Sequence, residues 1–577
     1  MQDTIFIRLR FVMIGLATLA GLVVLQLLRI EFTTDAQTYL RNLSDQQSER
    51  LATFAPPRGS IFDRDGDLLA ANSVQYELGV SPEVLSQNQI HELAVSLSTV
   101  LNQSVGELEE KMLKGKAEAK DYVLLARPIP AEIGDRIETL QEEDANFFTV
   151  SLTPIPHRVY PGLRLAAQAL GFVGYSDYGQ QGYYGVEGFY NDLLAGRSVD
   201  GKEYMVPFDA QPNPAPDEGA DLYLTIDRDL QFLVEGALQS FVQTYGAESG
   251  SILVMDPRTG EILAMAAFPS YDPNNYATSL PGDPQNPVVS GQYEPGSTFK
   301  VLTMAAALDA GLVQPTTPFM DNGLIEVGGV PIRNWNQSAF GAVDMVGCMR
   351  HSINVCMSAL STQLGPQTFY NYMAAFGIGH RTSVDLSAEA PGRLKVPGDP
   401  DWYESDLGTN AFGQGVAVTP LQLVTAISAV ANDGVIMQPH ILKRVEAGGR
   451  IHYTQPQVLG RPIRPETAHT LSEMLATALE TGEAEAALVP GYRIAGKTGT
   501  AQIPIPGGYD GRQTIASFIG WGPIDDPQFI VLVKLDKPRT SIWGSETAAP
   551  AFGSLVNRMV VLMELPPDNV RQALAGQ

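Results

Sequence analysis

Apolar positions run almost unbroken through residues 11–28, FVMIGLATLAGLVVLQLL, where only Thr18 and Gln26 are polar. As a helix rising 1.5 Å per residue this stretch spans about 27 Å, close to one bilayer core. Arg8 and Arg10 precede it, with Asp3 the one acid among them. That charge bias keeps residues 1–10 in the cytoplasm and sends the chain beyond about residue 30 to the other side. A cleaved signal peptide is the rival reading. The apolar run is longer than a usual signal core and no small-x-small site follows closely, so a single transmembrane signal anchor over 11–29 is expected.

After the anchor the pattern changes. Residues 30–57 are polar with spaced apolar positions, a helical or extended stalk. PPRGSIFDRDGDLLAANS reads as a turn-rich entry into a folded region, with Arg58, Asp63 and Arg64 expected to pair around a turn at Gly59 or Gly66. Residues 84–145 carry helical spacing, as in NQIHELAVSLSTVL and SVGELEEKML. The Pro-rich VPFDAQPNPAPDEG, residues 206–219, marks a boundary. Beyond it a strand leads to a helix starting near Asp227. SGSILVMDPRTGEILAMAAFPS follows as a β-hairpin turning at DPRTG. TFKVLTMAAALDAG is apolar on most faces, so a helix inside a core. VTPLQLVTAISAVANDG is a second helix, stopped by NDG, and TIASFIGWGP and QFIVLVKLDKP are strands joined at PIDD. The expected organisation is an elongated juxtamembrane domain over 30–215, one α/β (α+β) domain over 220–565 with an antiparallel sheet and a helical insert, and a tail over 566–577.

Composition narrows the function. The 577 residues are 44% hydrophobic and 18% charged, ordinary for a globular chain with a substantial core. With 64 acidic and 38 basic residues the net charge is −26, which argues against nucleic acid as a partner. The two cysteines, Cys348 and Cys356, are eight apart. A helix between them would separate them by about 12 Å, so no bridge is expected. No CxxC or HExxH occurs, and neither a metal nor another cofactor is expected.

Three short motifs carry chemistry. In EPGSTFK, Ser297 and Lys300 lie one helical turn apart on one face. Ser297 taken alone reads first as a helix cap. A lysine buried among Val301, Met304 and Ala305 loses its proton readily and can act as a base toward a serine nucleophile. In RHSINVC, Ser352 and Asn354 flank one residue and can point into one space. In AGKTGTAQ, Lys497, Thr498, Gly499 and Thr500 lie in strand-like sequence, where a glycine permits close approach of a ligand backbone. Each motif alone is weak. An S-x-N also occurs at Ser86–Asn88, but the ordered set SxxK, SxN and KTG, on a helix, a loop and a strand, points to a catalytic serine.

The ordered triple resembles that of penicillin-binding proteins and serine β-lactamases. RGSIFDRDGDLLA, GVEGFYNDLLAG, YEPGSTFK, GQGVAVTPLQL and AGKTGTAQ together resemble class B penicillin-binding proteins, the monofunctional transpeptidases of peptidoglycan synthesis. YEPGSTFK and KTGTAQ resemble the division type more than the elongation type. The resemblance implies a penicillin-binding-protein/β-lactamase-like domain above an elongated pedestal. It implies a Ser297 acyl-enzyme formed on stem peptides ending in D-Ala-D-Ala and trapped by β-lactams. Lys300 is then the base, Ser352 with Lys497 the proton relay, and Asn354 a substrate contact. Thr498 and Thr500 are carboxylate ligands, and the backbone N–H groups of Ser297 and Thr500 the oxyanion hole. It also implies partnership with a SEDS-family membrane glycosyltransferase and other division or elongation proteins. Arg58, Gly59, Asp63, Arg64, Glu187 and Gly188 are read as architectural or partner-facing, and Gly413, Gln414 and Gly415 as a loop near the site.

Overall fold

The structure, a computed structural model, describes residues 57–176, 179–196 and 218–575. The expected anchor, the stalk and most of the Pro-rich segment lie outside the described residues. Among those described, no helix is long and apolar enough to cross a membrane.

The chain enters through β1 (Ile61–Phe62) and β2 (Leu68–Val80). Asp63 closes the turn between them by accepting the backbone N–H groups of Asp65, Gly66 and Asp67 at 2.8–2.9 Å. Helices α1 (Gln87–Leu101), α2 (Val105–Ala117) and α3 (Ala131–Glu143) follow the expected helical spacing. They bury Ile90, Leu93, Leu108 and Ile137 against Leu78 and Val80 of β2. Between them runs β3 (Val123–Pro130), which with β4 (Val150–Val159) pairs with β2. The prolines of VLLARPIP hide this strand from a reading by pattern, since proline cannot donate to a ladder.

The expected pairing of Arg58, Asp63 and Arg64 with one another does not form. Arg58 binds Glu187, Arg64 binds Glu261, and Asp63 is used up by the turn's N–H groups and by that of Arg228. The partners of both arginines lie more than a hundred residues away, beyond the reach of local reading.

The second part begins with β5 (Asp221–Leu224) and α4 (Arg228–Tyr245), capped by Asp227, whose side chain accepts from Leu230 N–H at 2.9 Å. The hairpin β6 (Ser249–Met255) and β7 (Ile262–Phe268) follows. A helical region then contains α5 (Lys300–Asp309), α6 (Met345–Arg350), α7 (Asn354–Ala375, interrupted at Gly365–Pro366) and α8 (Pro420–Ala431). Next come β8 (Leu442–Ala447), β9 (Arg450–Tyr453) and α9 (Pro465–Glu480). The chain closes with β10 (Ala495–Ile505), β11 (Gly508–Gly522), β12 (Phe529–Asp536) and α10 (Ala548–Leu562).

Five of these strands form an antiparallel sheet in the order β10-β11-β12-β6-β7. Alternate residues serve opposite faces. Ile252, Val254, Phe518, Val531 and Val533 pack with α4 and α10, while Leu253, Ile519, Trp521, Ile530 and Leu532 join the core of α5, α7, α8 and α9. With both faces covered, strands such as FIVLV read as continuous apolar runs rather than alternating ones. β10 is an edge strand, and the site forms along it. A second sheet, in the order β9-β8-β5-β1-β2-β3 with β4 also on β2, joins the entry strands to the second part. There β1 pairs in parallel with β5, Ile61 beside Leu222.

Candidate active site

The nucleophile candidate sits on a turn pressed against β10. Gly296, at φ +55°, begins a 3₁₀ turn over Gly296–Phe299 that runs straight into α5. Ser297 is inside this turn, behind Pro295, and holds neither cap position, which fall to Pro295 for the turn and Phe299 for α5. The helix-cap alternative therefore falls, and the hydroxyl is left for other chemistry. Two glycines allow the tight seat. A Cβ on Gly413 would lie 2.2 Å from the Gly296 carbonyl oxygen. One on Gly499 would lie 2.3 Å from Ser517 Oγ and 3.1 Å from the Pro295 oxygen. The glycine of the K-T-G strand thus makes room for the protein's own packing rather than for a ligand. Gly413 also accepts from Gly296 N–H at 3.1 Å, so the GQG loop props the nucleophile turn.

Lys300, the first residue of α5, is 0% exposed. Its Nζ donates to the Ser352 carbonyl at 2.5 Å, Ser352 Oγ at 3.0 Å and Asn354 Oδ1 at 2.7 Å. The first two motifs therefore meet at this one amine. Burial drives the Lys300 pKa well below that of an ordinary lysine, and the charge of Lys497 pushes it the same way. Lys497 is buried on β10, its Nζ 3.1 Å from Thr498 Oγ1. Burial brings its pKa down to about 8, against the opposing pull of Glu483. Thr500 Oγ1 accepts from Gly544 N–H at 3.0 Å.

Ser352 owes its position to a helix end. The N–H of Ile353 returns to the Cys348 carbonyl at 3.0 Å and that of Ser352 to Met349 at 3.3 Å, with Ser352 at φ +53°. This is a Schellman closure of α6 with serine where glycine is usual. The left-handed residue costs on the order of 1–2 kcal/mol, and it throws the chain into α7 in a new direction. It also overturns the expectation that the cysteines stay apart. No single helix connects them, their Cα atoms are 6.2 Å apart, and Cys348 and Cys356 form a disulfide around the S-x-N turn.

Comparison with known proteins fits this geometry. Residues 250–557 match the model for the penicillin binding protein transpeptidase domain, and residues 53–209 that for the penicillin-binding protein dimerisation domain. Stage V sporulation protein D of Bacillus subtilis is 34% identical over 532 residues, covering 90% of this chain and 80% of the relative. This chain belongs to the class B penicillin-binding proteins. Penicillin-binding protein PbpB of Mycolicibacterium smegmatis is 31% identical over 560 residues, covering 89% and 84%. Among solved structures, penicillin binding protein 3 of Mycobacterium tuberculosis complexed with aztreonam superposes with a TM-score of 0.69 at 27% identity. It covers 89% of this chain and 97% of that one.

Some parts of the site in this penicillin-binding protein were not foreseen from its motifs. Asn334 donates to Asp321 Oδ2 at 2.7 Å and accepts from Val355 N–H at 3.2 Å, and Asn354 Nδ2 donates to the Arg333 carbonyl at 3.1 Å, so the 333–334 segment braces the start of α7. Trp335 is 39% exposed and does not lie in a core. Its indole donates to the His351 carbonyl at 3.1 Å, and its ring meets Trp543 edge-on with centroids 5.1 Å apart. That contact bridges the S-x-N side to the sheet side. Only the aromatic character of Trp335 hinted at it, because Trp543 lies some two hundred residues away.

Proposed function

We propose that this penicillin-binding protein cross-links peptidoglycan as a D,D-transpeptidase with Ser297 as its nucleophile. The reading rests chiefly on one observation, the buried Lys300 amine bonded to Ser352 and Asn354 with no carboxylate partner among the described residues. A neutral Lys300 takes the Ser297 proton while Oγ attacks the carbonyl carbon of the penultimate D-Ala. The oxyanion is held by the backbone N–H groups of Ser297 and Thr500, a contribution of roughly 3–4 kcal/mol per donor. Ser352, with Lys497 behind it, passes a proton to the leaving nitrogen. The peptide C–N bond breaks, D-Ala departs as a free amino acid, and the stem remains as an ester on Ser297. The amine of a second stem then attacks the ester, Ser297 recovers its proton, and a new peptide bond joins the stems. Lys497, Thr498 and Thr500 receive the terminal carboxylate, Asn354 the peptide, and Gly499 lets the nucleophile turn sit against the strand. The free edge of β10 offers backbone groups for the substrate to align as an added strand.

A β-lactam acylates Ser297 in the same way but leaves slowly, in keeping with the aztreonam complex of the mycobacterial relative. The enzyme is anchored by residues 11–29 with its catalytic domain outside the cytoplasm, the pedestal over 30–215 and the transpeptidase domain over 220–565. It serves septal wall synthesis beside a SEDS-family membrane glycosyltransferase. Labelled penicillin tests the chemistry. An adduct on Ser297 lasting many minutes is expected, and rapid loss would point to a hydrolase. A fluorescent fusion is expected at the septum, and side-wall localisation would assign it to elongation.

A further inference from the structure

Beside the nucleophile turn lies a cleft of about 250 Å³, lined by Glu294, Arg393, Lys395, Asp401 and residues 415–417. Glu294 precedes Ser297 by three residues, so their Cα atoms are at most about 11 Å apart. One carboxylate oxygen of Glu294 is occupied, accepting from Gly415 N–H at 3.0 Å and from the Tyr509 hydroxyl at 3.2 Å. The other, Oε2, is buried with no hydrogen-bond partner among the described residues. A buried carboxylate oxygen left unpaired costs free energy that an incoming cation can recover. Across the cleft, Arg393 pairs with Asp401 on the surface, both side chains more than half exposed. Such a pair is weak and exchanges readily for a ligand carboxylate. Lys395 is engaged by both oxygens of Asp406 at 2.8 and 2.9 Å and is not free in the same way.

The cleft also lies where a stem peptide leads. On the proposed reading, on which this inference rests, the terminal carboxylate sits at Lys497 and Thr498 and the acyl carbon between Ser297 and Thr500. The stem then continues along β10 towards its far end, where Pro504 pairs with Tyr509, the residue bonded to Glu294. The stem's third residue immediately precedes the acylated D-Ala. One extended residue, about 3.4 Å, plus a long side chain reaches roughly 10 Å from the acyl carbon, comparable with the largest separation the chain allows between Ser297 and Glu294.

We infer that this cleft reads the side chain of the stem's third residue and favours one that ends in both an ammonium and a carboxylate, with Glu294 taking the ammonium and Arg393 the carboxylate. A lysine side chain satisfies Glu294 alone, and a norleucine side chain satisfies neither.

The test uses the full chain in detergent and three synthetic pentapeptides ending in D-Ala-D-Ala, with meso-diaminopimelate, lysine or norleucine third. D-Ala release is read as kcat/KM, and rate ratios are taken within each preparation so that differences in folded fraction cancel. Wild type is expected to prefer diaminopimelate over lysine by about tenfold, the scale of one charged hydrogen bond, and lysine over norleucine by a similar factor. Arg393→Ala should erase the first ratio and keep the second, and Glu294→Gln should reduce the second. Equal wild-type rates on the diaminopimelate and lysine peptides, or a first ratio unchanged in Arg393→Ala, overturn the inference. If labelled penicillin does not acylate Ser297 in wild type, the transpeptidase reading itself fails, a separate outcome.

Discussion

Two groups of buried charge stand in instructive contrast. In the pedestal, Arg58, Glu187 and Arg158 are 3%, 0% and 2% exposed. Glu187 takes Arg58 on one oxygen at 2.6 Å and Arg158 on the other at 2.6 Å, with Tyr160 adding a third donor at 3.2 Å. Arg58 also reaches Asn191 and the Glu187 carbonyl, and Arg158 the Gly59 carbonyl. At the candidate site, Lys300 is as deeply buried yet, among the described residues, donates only to a hydroxyl, an amide and a carbonyl, with a second lysine nearby. The first arrangement keeps its charges by supplying opposite ones. The second withholds an anion, so the lysine holds its proton less tightly than an ordinary one, as a base requires. Burial is common to both, and the identity of the partner decides whether it yields architecture or chemistry.

The contrast can be broken from either side. The largest effect is expected at the site. Lys300→Arg restores a permanent charge that cannot accept a proton, and acylation by labelled penicillin should fall by about 10²–10⁴, as in Lys300→Met. Wild-type acylation in Lys300→Arg would mean that the residue acts as a cation. In the pedestal, Glu187→Ala strands two buried guanidinium groups and should cost about 3–5 kcal/mol in denaturant unfolding. Replacing Arg58, Glu187 and Arg158 together by apolar residues should recover much of that loss.

A third buried group lies between these extremes. Glu235 accepts from Ala166 N–H and Gln231 at 2.7 Å, with no cation partner among the described residues, and burial raises its pKa to about 7. Because the folded form holds its proton more tightly than the unfolded chain, its contribution to stability is complete below about pH 4.5. It is lost as the pH rises through about 7. Glu235→Gln should therefore be more stable than wild type at pH 8, by on the order of 2 kcal/mol, and similar to it at pH 4.5. An unchanged difference between the two pH values would remove Glu235 from this account. The smallest effect concerns Lys497. Its pKa of about 8 means that the ammonium is lost above that pH, so KM for a D-Ala-D-Ala peptide should rise by up to about tenfold per pH unit there. Lys497→Arg should move that limb out of range, and persistence of the limb would assign it elsewhere.

The features legible in the sequence were those set by short spacing. Ser297 and Lys300, Ser352 and Asn354, and Lys497 to Thr500 each lie within one turn or one strand segment, and their chemistry survives whatever the long loops do. The sheet strands were legible because both faces are buried. What escaped depended on distant partners or on one unusual backbone angle. The left-handed Ser352 reverses the chain between Cys348 and Cys356, and a helical extrapolation cannot anticipate it. Glu187 read as architectural, and the arginines that hold it lie 129 and 29 residues before it, out of reach of local reading. β3 was masked by its prolines, and the Trp335–Trp543 contact by sequence distance.

The parallel pairing of β1 with β5 has a consequence for the order in which the molecule comes together. Ile61 must wait for Leu222, about 160 residues later, and the next strand outward, β8, lies more than two hundred residues beyond that. At a synthesis rate of about 5–20 residues per second, β1 spends roughly 8–30 seconds with that edge uncovered. A long apolar edge held open for that time would invite pairing with a neighbouring chain. β1 is only two residues long, and so brief a strand offers a passing polypeptide little to copy while its own partner is still being made.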